Sequence, residues 1–165
     1  MKKMCFFIAG LIIFSVISSF SQVRIAVFPF MNKDGNLKLN LWCYKFQDSL
    51  TKALYNRDPE DKYYRIVPYD SVESILAQLN LDPNNPQYKS DMWKAADSIN
   101  VKWVVTGNFN INGGRFLIDG YAFYMKTKLP HHKYQAKDIF KKEEKVMECI
   151  EEIVDAIIPL FIPEK

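Results

Sequence analysis

The stretch that decides the fold is Ile25-Ala26-Val27-Phe28-Pro29-Phe30. An unbroken apolar run of this length, followed by a polar turn containing Asn32 and Gly35, predicts a short strand that is buried on both faces. Pro29 has no backbone N–H to donate, so we expect the strand to lose its ladder there and to give way to a loop.

An export signal precedes this strand. Lys2 and Lys3 form a basic start, residues 6–17 form an apolar run, and Ser19-Phe20-Ser21 has the small-x-small pattern of a cleavage site. Because a membrane span needs about 20 apolar residues, we expect cleavage after Ser21 rather than a retained anchor. The sequence therefore predicts a signal peptide at residues 1–21 and a single exported domain at residues 22–165.

Charge and composition narrow the classes of partner. The whole chain carries a formal net charge of +3 and is 15% aromatic. Removal of Lys2 and Lys3 with the signal leaves the domain close to neutral. Proteins that bind nucleic acids or anionic lipids usually show a clustered excess of Lys and Arg, so no nucleic-acid partner is predicted. The aromatic content indicates a well-filled core with some aromatic surface left over.

Apolar spacing and turn residues predict the other elements. Gly113-Gly114 lies between two extended runs and predicts a hairpin turn. In chain order we expect a helix over 37–55, a strand over 63–68, a helix from Asp70 to Leu79, a helix over 90–98, strands over 101–112 and 115–126, a loop over 127–136 and a helix over 137–158 whose apolar stripe includes Phe140. The fold class is therefore α/β (α+β), a single mixed sheet with helices packed on it, in the order β-α-β-α-α-β-β-α.

The returning strand of the hairpin is aromatic on both faces. Tyr121 and Phe123 lie on one face and Tyr124 on the other, and neither face of the strand is predominantly polar. These three residues are candidate contacts with a protein partner, and core packing is the alternative for them. The edge of the predicted sheet is a second candidate, because its unpaired backbone groups can receive an added strand.

Two cysteines follow the signal, Cys43 and Cys149, and each lies on or beside the apolar stripe of a predicted helix. An exported protein occupies a compartment in which disulfides persist. A Cys43–Cys149 bridge would close a long loop and stabilise the fold by about 4 kcal/mol in the chain-entropy model. The alternative is two buried free thiols that behave as small hydrophobes.

Two motifs resemble the TolB amino-terminal-like domains. The first is Ile25–Phe30 with Asn32 and Gly35, which resembles the entry motif of that family. The second is the run from Ala95 to Phe109, which is similar to the family's helix-to-strand passage ending in Val-x-Gly. The grouping includes the curli secretion protein CsgG, the flagellar outer-membrane protein FlgO and a lipoprotein activator of penicillin-binding proteins.

This resemblance implies a non-enzymatic envelope protein that acts in assembly or interaction. It implies a location in the periplasm or at the periphery of the outer membrane, and an envelope protein partner or self-association. The sequence departs from CsgG in lacking the lipid-anchoring cysteine and any counterpart of its long pore-forming hairpins, so a pore is not predicted.

The chemistry-bearing residues leave one alternative function. No catalytic residue, cofactor site or metal site is predicted, because no recognised motif is present. His131-His132 is the only histidine pair, and adjacent histidines in a loop need further ligands to hold a metal. The alternative to the interaction module is a small secreted enzyme or a ligand- or metal-binding protein with a loop-built site near His131 and His132.

Overall fold

The computed structural model describes residues 22–163 and contains one mixed six-stranded sheet with four α-helices. The predicted fold class is confirmed, and the predicted signal peptide lies outside the described residues. Within residues 22–163 no helix has the length and apolarity needed to cross a membrane. The elements are β1 (Val23–Val27), β2 (Met31–Asn32), α1 (Asn40–Arg57), β3 (Tyr64–Ile66), α2 (Tyr69–Gln78), α3 (Tyr88–Ser98), β4 (Trp103–Asn112), β5 (Arg115–Tyr124), β6 (Leu129–Lys141) and α4 (Cys149–Ile157).

The strand order is β3-β1-β4-β5-β6, and β2 continues the line of β1 beside β4. β1 lies parallel to both neighbours, with Ile25 in register with Ile66 on one side and Trp103 on the other. Residues 25–28 and Phe30 are all buried, as the apolar run predicts. At Pro29 the ladder is interrupted, and the Thr106 hydroxyl donates to the Pro29 carbonyl oxygen at 2.8 Å.

The two faces of the sheet are covered unequally. On one face, α1 and α4 close a large core across the whole sheet. On the other face, α2 and α3 form a smaller core with Ala26, Phe28 and Val104, which belong to the β1–β4 half. The outer part of this second face, on β5 and β6, is left without a helix.

The end of the chain differs from the prediction. Residues 129–141 form β6 rather than a loop followed by the start of a helix, and α4 begins only at Cys149, after a 3-10 segment at Glu143–Glu148. Phe140 pairs with Leu117 of β5 and is 48% exposed, so it does not belong to the stripe of the last helix. The reason is that pairing with β5 stabilises an extended chain at positions whose spacing happens to suit a helix.

Two opposed glycines bring the sheet close to its covering layer. Gly107 lies in the middle of β4, directly opposite Gly120 of β5. A Cβ atom on Gly107 would overlap the Asp119 carbonyl oxygen and the Phe30 ring, and one on Gly120 would lie 2.7 Å from Cγ2 of Ile153. The missing side chains therefore make the space in which Phe30 and α4 pack.

The two cysteines are free and buried. The structure thus does not contain the Cys43–Cys149 bridge that the sequence left open, and both residues pack as small apolar side chains in the larger core. Burial raises the pKa of the Cys43 thiol to about 11 and that of the Cys149 thiol to about 12. Both thiols are therefore held in the unreactive protonated form.

Thiol titration tests this state. We expect neither Cys43 nor Cys149 of the folded mature protein to react with an aromatic disulfide reagent at pH 8, since both are buried and protonated. Both should react once the chain is unfolded in guanidinium without any reductant. Unfolded protein that reacts only after reduction would contradict the free-thiol state.

The space left by the missing side chains of Gly107 and Gly120, here called the glycine notch, leads to a second prediction. Gly107→Ala should lower the free energy of unfolding by about 3 kcal/mol, because the added methyl group overpacks a site walled by backbone and a ring. Gly113→Ala is the matched control: it has open space but a φ of +57°, so its cost should be about 1 kcal/mol. Urea unfolding of the mature protein measures the free energy of unfolding of both variants. Equal losses would contradict the claim that Gly107 leaves no room for a side chain.

Candidate functional site

The two edges of the sheet differ in length and protection. β3, at one edge, has three residues, and the Asp58 carboxylate beside it accepts hydrogen bonds from the backbone N–H groups of Lys62, Tyr63 and Tyr64 at 2.6–3.0 Å. β6, at the other edge, has 13 residues and pairs only with β5. The long, one-sided edge of β6 is therefore the more open of the two.

Two irregularities divide β6 into segments. The pairing with β5 shifts between Ile118 and Gly120 and again between Tyr121 and Phe123. At the first shift Asp138 adopts a φ of +57°, and its backbone N–H donates to Oδ1 of Asp119 at 2.9 Å. β-bulges of this kind bend an edge and interrupt its free row of backbone groups.

His131 holds the second irregularity together. Its Nδ1 atom accepts hydrogen bonds from the backbone N–H groups of Lys133 at 3.3 Å and Tyr134 at 3.2 Å. The His131 ring also stacks on His132 and Tyr134, at centroid distances of 4.9 and 5.0 Å. Since Nδ1 is an acceptor, the neutral ring carries its proton on Nε2. Burial lowers the pKa of His131, and the nearby charges of His132 and Lys133 lower it further.

A first cleft, of about 480 Å³, lies beside these histidines at the start of β4 and the start of β6. Its wall includes Trp103, Tyr124 and Phe161, and the Trp103 ring lies 5.0 Å from Tyr124 and 6.0 Å from Phe161. Both His131 and His132 line it. The histidines thus lie on a strand at an aromatic cleft, not in the loop that the sequence predicts.

A second groove, of about 450 Å³, lies between α3 and the outer strands on the less covered face of the sheet. Tyr121 and Phe123 line it together with Trp93 of α3. The Trp93–Phe123 and Phe123–Tyr121 ring centroids are 5.4 and 5.9 Å apart. Burial raises the pKa of Tyr121, and Asp119, whose carboxylate accepts the Tyr121 hydroxyl at 3.1 Å, raises it further.

The three predicted contact residues do not form one surface. Tyr121 and Phe123 point into the groove, whereas Tyr124 points to the opposite face and lines the first cleft. All three are half-buried, so each takes part in packing as well as lining a depression. Their alternation along the strand predicts this separation.

The most exposed apolar residues of β6 are not among the contacts that the sequence predicts. Leu129 is 64% exposed and Phe140 is 48% exposed. The sequence predicts a helix stripe for Phe140 and a loop for Leu129, because two shifts in the pairing with β5 break the alternation along residues 129–141. Only a strand assignment would have placed both at the edge of the sheet.

Metal binding at His131 and His132 would need further ligands from the surrounding residues. Among residues 22–163 no group of three or more His, Cys, Asp or Glu side chains is arranged so that it could hold a metal ion. His131 Nδ1 is also engaged by backbone N–H groups, which leaves only Nε2 of that ring as a further ligand atom.

No family model matches the chain, and no curated protein matches it. The resemblance to TolB amino-terminal-like domains is therefore not confirmed by sequence comparison. Solved structures do match. The chain is similar to the LpoB C-terminal domain from Salmonella enterica, with a TM-score of 0.51 and 16% identity over 73% of this chain and 83% of that one.

The NMR structure of E. coli LpoB is also similar, with a TM-score of 0.55 and 16% identity over 74% of this chain. The match spans 59% of that protein, so part of it has no counterpart here. At this level of identity the two comparisons establish a shared fold.

Protonation of His131 should loosen the start of β6. A proton added to Nδ1 removes the acceptor for the Lys133 and Tyr134 amides. Because the folded-state pKa is lowered, the stabilisation is present above the unfolded value of about 6.5 and is lost as the pH falls through the folded value. We expect NMR protection factors of these two amides to fall between pH 7 and pH 5.

Two variants control this measurement. His131→Asn, which does not titrate, should make the protection independent of pH, and His132→Asn should keep the pH dependence. Protection factors that stay constant in the wild-type protein over this range would contradict a structural role for the neutral His131 ring.

Proposed function

We propose that this chain is an exported, non-enzymatic protein of the bacterial envelope that binds another protein along the β6 edge of its sheet. The export signal and the fold shared with LpoB domains support an envelope location, in the periplasm or at the periphery of the outer membrane. The resemblance to TolB amino-terminal-like domains supports an assembly or interaction role. The single observation that carries the proposal is the long, one-sided edge strand.

An edge strand binds a partner by receiving an added strand. The outward backbone groups of β6 provide hydrogen bonds, and exposed side chains such as Leu129 and Phe140 provide apolar contact area. Burying one such side chain stabilises a complex by about 2 kcal/mol. The bulges confine regular pairing to short segments, so the edge suits a short partner strand more than a long one.

The charges of β6 favour a different protein over a second copy. The strand carries Lys133, Lys137 and Lys141 and one acid, Asp138. Two copies paired edge to edge would bring like charges close together, which is destabilising. A partner strand with acidic side chains would instead be attracted to the exposed Lys133 and Lys137.

The cleft beside His131 and His132 supports a second candidate, a small-ligand-binding protein. Aromatic walls from Trp103, Tyr124 and Phe161 with a few polar groups are typical of ligand sites. The cleft and the β6 edge share His131 and His132 but differ at Lys137 and Phe140, which do not line the cleft. Variants can therefore separate the two functions.

Site-specific photocrosslinking tests the proposal in the cells that produce the protein. A photoreactive phenylalanine analogue replaces Lys137 or Phe140 on β6, and Lys94 on the outer side of α3 serves as the control position. We expect one envelope protein, identified by mass spectrometry, to crosslink at positions 137 and 140 and not at 94. Phe140→Asp should reduce the adduct at position 137 by about tenfold through lost apolar contact.

The other outcomes also decide the question. Equal adducts at position 94, or adducts only between copies of this chain, would contradict the proposal, and so would the absence of any adduct. Leu160→Gln, which alters the cleft at a residue outside β6, should keep the adduct. Its loss, together with a small molecule that binds the wild-type protein alone, would favour the cleft.

A further inference from the structure

The groove on the less covered face of the sheet is bordered by positive charge alone. Four lysines line it, Lys33, Lys89, Lys128 and Lys137, and no acidic side chain does. All four are exposed. Within residues 22–163 none of them takes part in an ion pair. A concave surface with charge of one sign concentrates ligands of the opposite charge.

The acid that contacts Tyr121 of the groove is already satisfied. Asp119 accepts hydrogen bonds from the Tyr121 hydroxyl at 3.1 Å and from the Asp138 backbone N–H at 2.9 Å. It therefore orients the Tyr121 ring and fixes the β6 bulge. It does not pair with any of the four lysines.

The floor of the groove combines rings with amides. Trp93, Phe123 and Tyr121 follow one another at centroid distances of 5.4 and 5.9 Å. The side chains of Asn108 and Gln135 also line the floor. An amide both donates and accepts hydrogen bonds, and it can therefore pair with hydroxyl groups in either sense.

The backbone of the floor is closed to an added strand. β4 pairs with β1 and β2 on one side and with β5 on the other, and β5 lies between β4 and β6. An extended peptide would find no row of free N–H and C=O groups there, unlike at the β6 edge. A ligand in this groove must be recognised through side chains, by ring stacking, amide hydrogen bonds and charge.

We propose that this groove binds an anionic polysaccharide, one whose sugar rings carry carboxylate or phosphate groups. In this proposal the faces of the sugar rings pack on Trp93, Phe123 and Tyr121. The sugar hydroxyl groups form hydrogen bonds with the side-chain amides, and the acidic groups pair with the surrounding lysines. This activity is separate from strand addition at the β6 edge and does not rest on it, although Lys137 lies at both surfaces.

Titration calorimetry of the mature protein with a decamer of galacturonic acid tests the inference. Two further probes separate the chemistries: a neutral maltooligosaccharide of similar length and a polyglutamate peptide of matched charge. We expect binding of the galacturonate decamer that weakens as salt is raised, and affinities at least about tenfold lower for the other two probes.

Variants then locate the site. Lys89→Gln with Lys128→Gln should weaken binding of the galacturonate decamer by about tenfold. Lys142→Gln with Lys145→Gln, at exposed positions before α4, is the matched control and should leave it unchanged. Tyr121→Leu should weaken the decamer more than polyglutamate, and thermal unfolding checks that each variant is folded.

Each remaining result would overturn the inference. Polyglutamate bound as tightly as the galacturonate decamer would assign the groove to an acidic protein. Maltooligosaccharide bound equally well would remove the role of the lysines. No binding of any probe, or binding unaffected by the Lys89/Lys128 variant, would leave the groove without this function. None of these results bears on the crosslinks from Phe140, which does not line the groove.

Discussion

The close approach of the sheet to its covering layer at Gly107 and Gly120 is the constraint on which the rest of the structure depends. The two residues face each other across β4 and β5 on the same side of the sheet. Phe30, just after the first strand, and Ile153, on the last helix, occupy the space that side chains would fill. The first and last parts of the domain therefore meet at the centre of one face, and the larger core closes there.

As a result, the two faces of the sheet are covered unequally. α1 and α4 cover one face fully, whereas α2 and α3 cover only the part of the other face near β1 and β4. α2 and α3 connect β3 to β4, and they pack over the β1–β4 half of the sheet. The uncovered outer strands provide both surfaces proposed for binding: the basic aromatic groove and the β6 edge.

The positions of the candidate residues could be predicted in part. The period of two along β5 separates Tyr121 and Phe123 from Tyr124 without any structure, and the structure bears out that separation. The basic lining of the groove could not be found this way. Lys33, Lys89, Lys128 and Lys137 come from four separate segments, and only the folded chain places them around one depression.

By itself the sequence determined the inner strands and the helices with clear periodicity. Residues 25–28 form an unbroken apolar run, which marks a buried strand without knowledge of its neighbours, and α1 has apolar residues at helical spacing. Gly113-Gly114 forms the hairpin turn because glycine readily adopts the positive φ that both positions have. Only tertiary structure decided residues 129–141. Ala136 and Ile139 are the only two buried residues of β6, and the bulge between them removes the alternation that marks a strand. Hydrogen bonds to β5 make that segment a strand, and such pairing depends on residues distant in sequence.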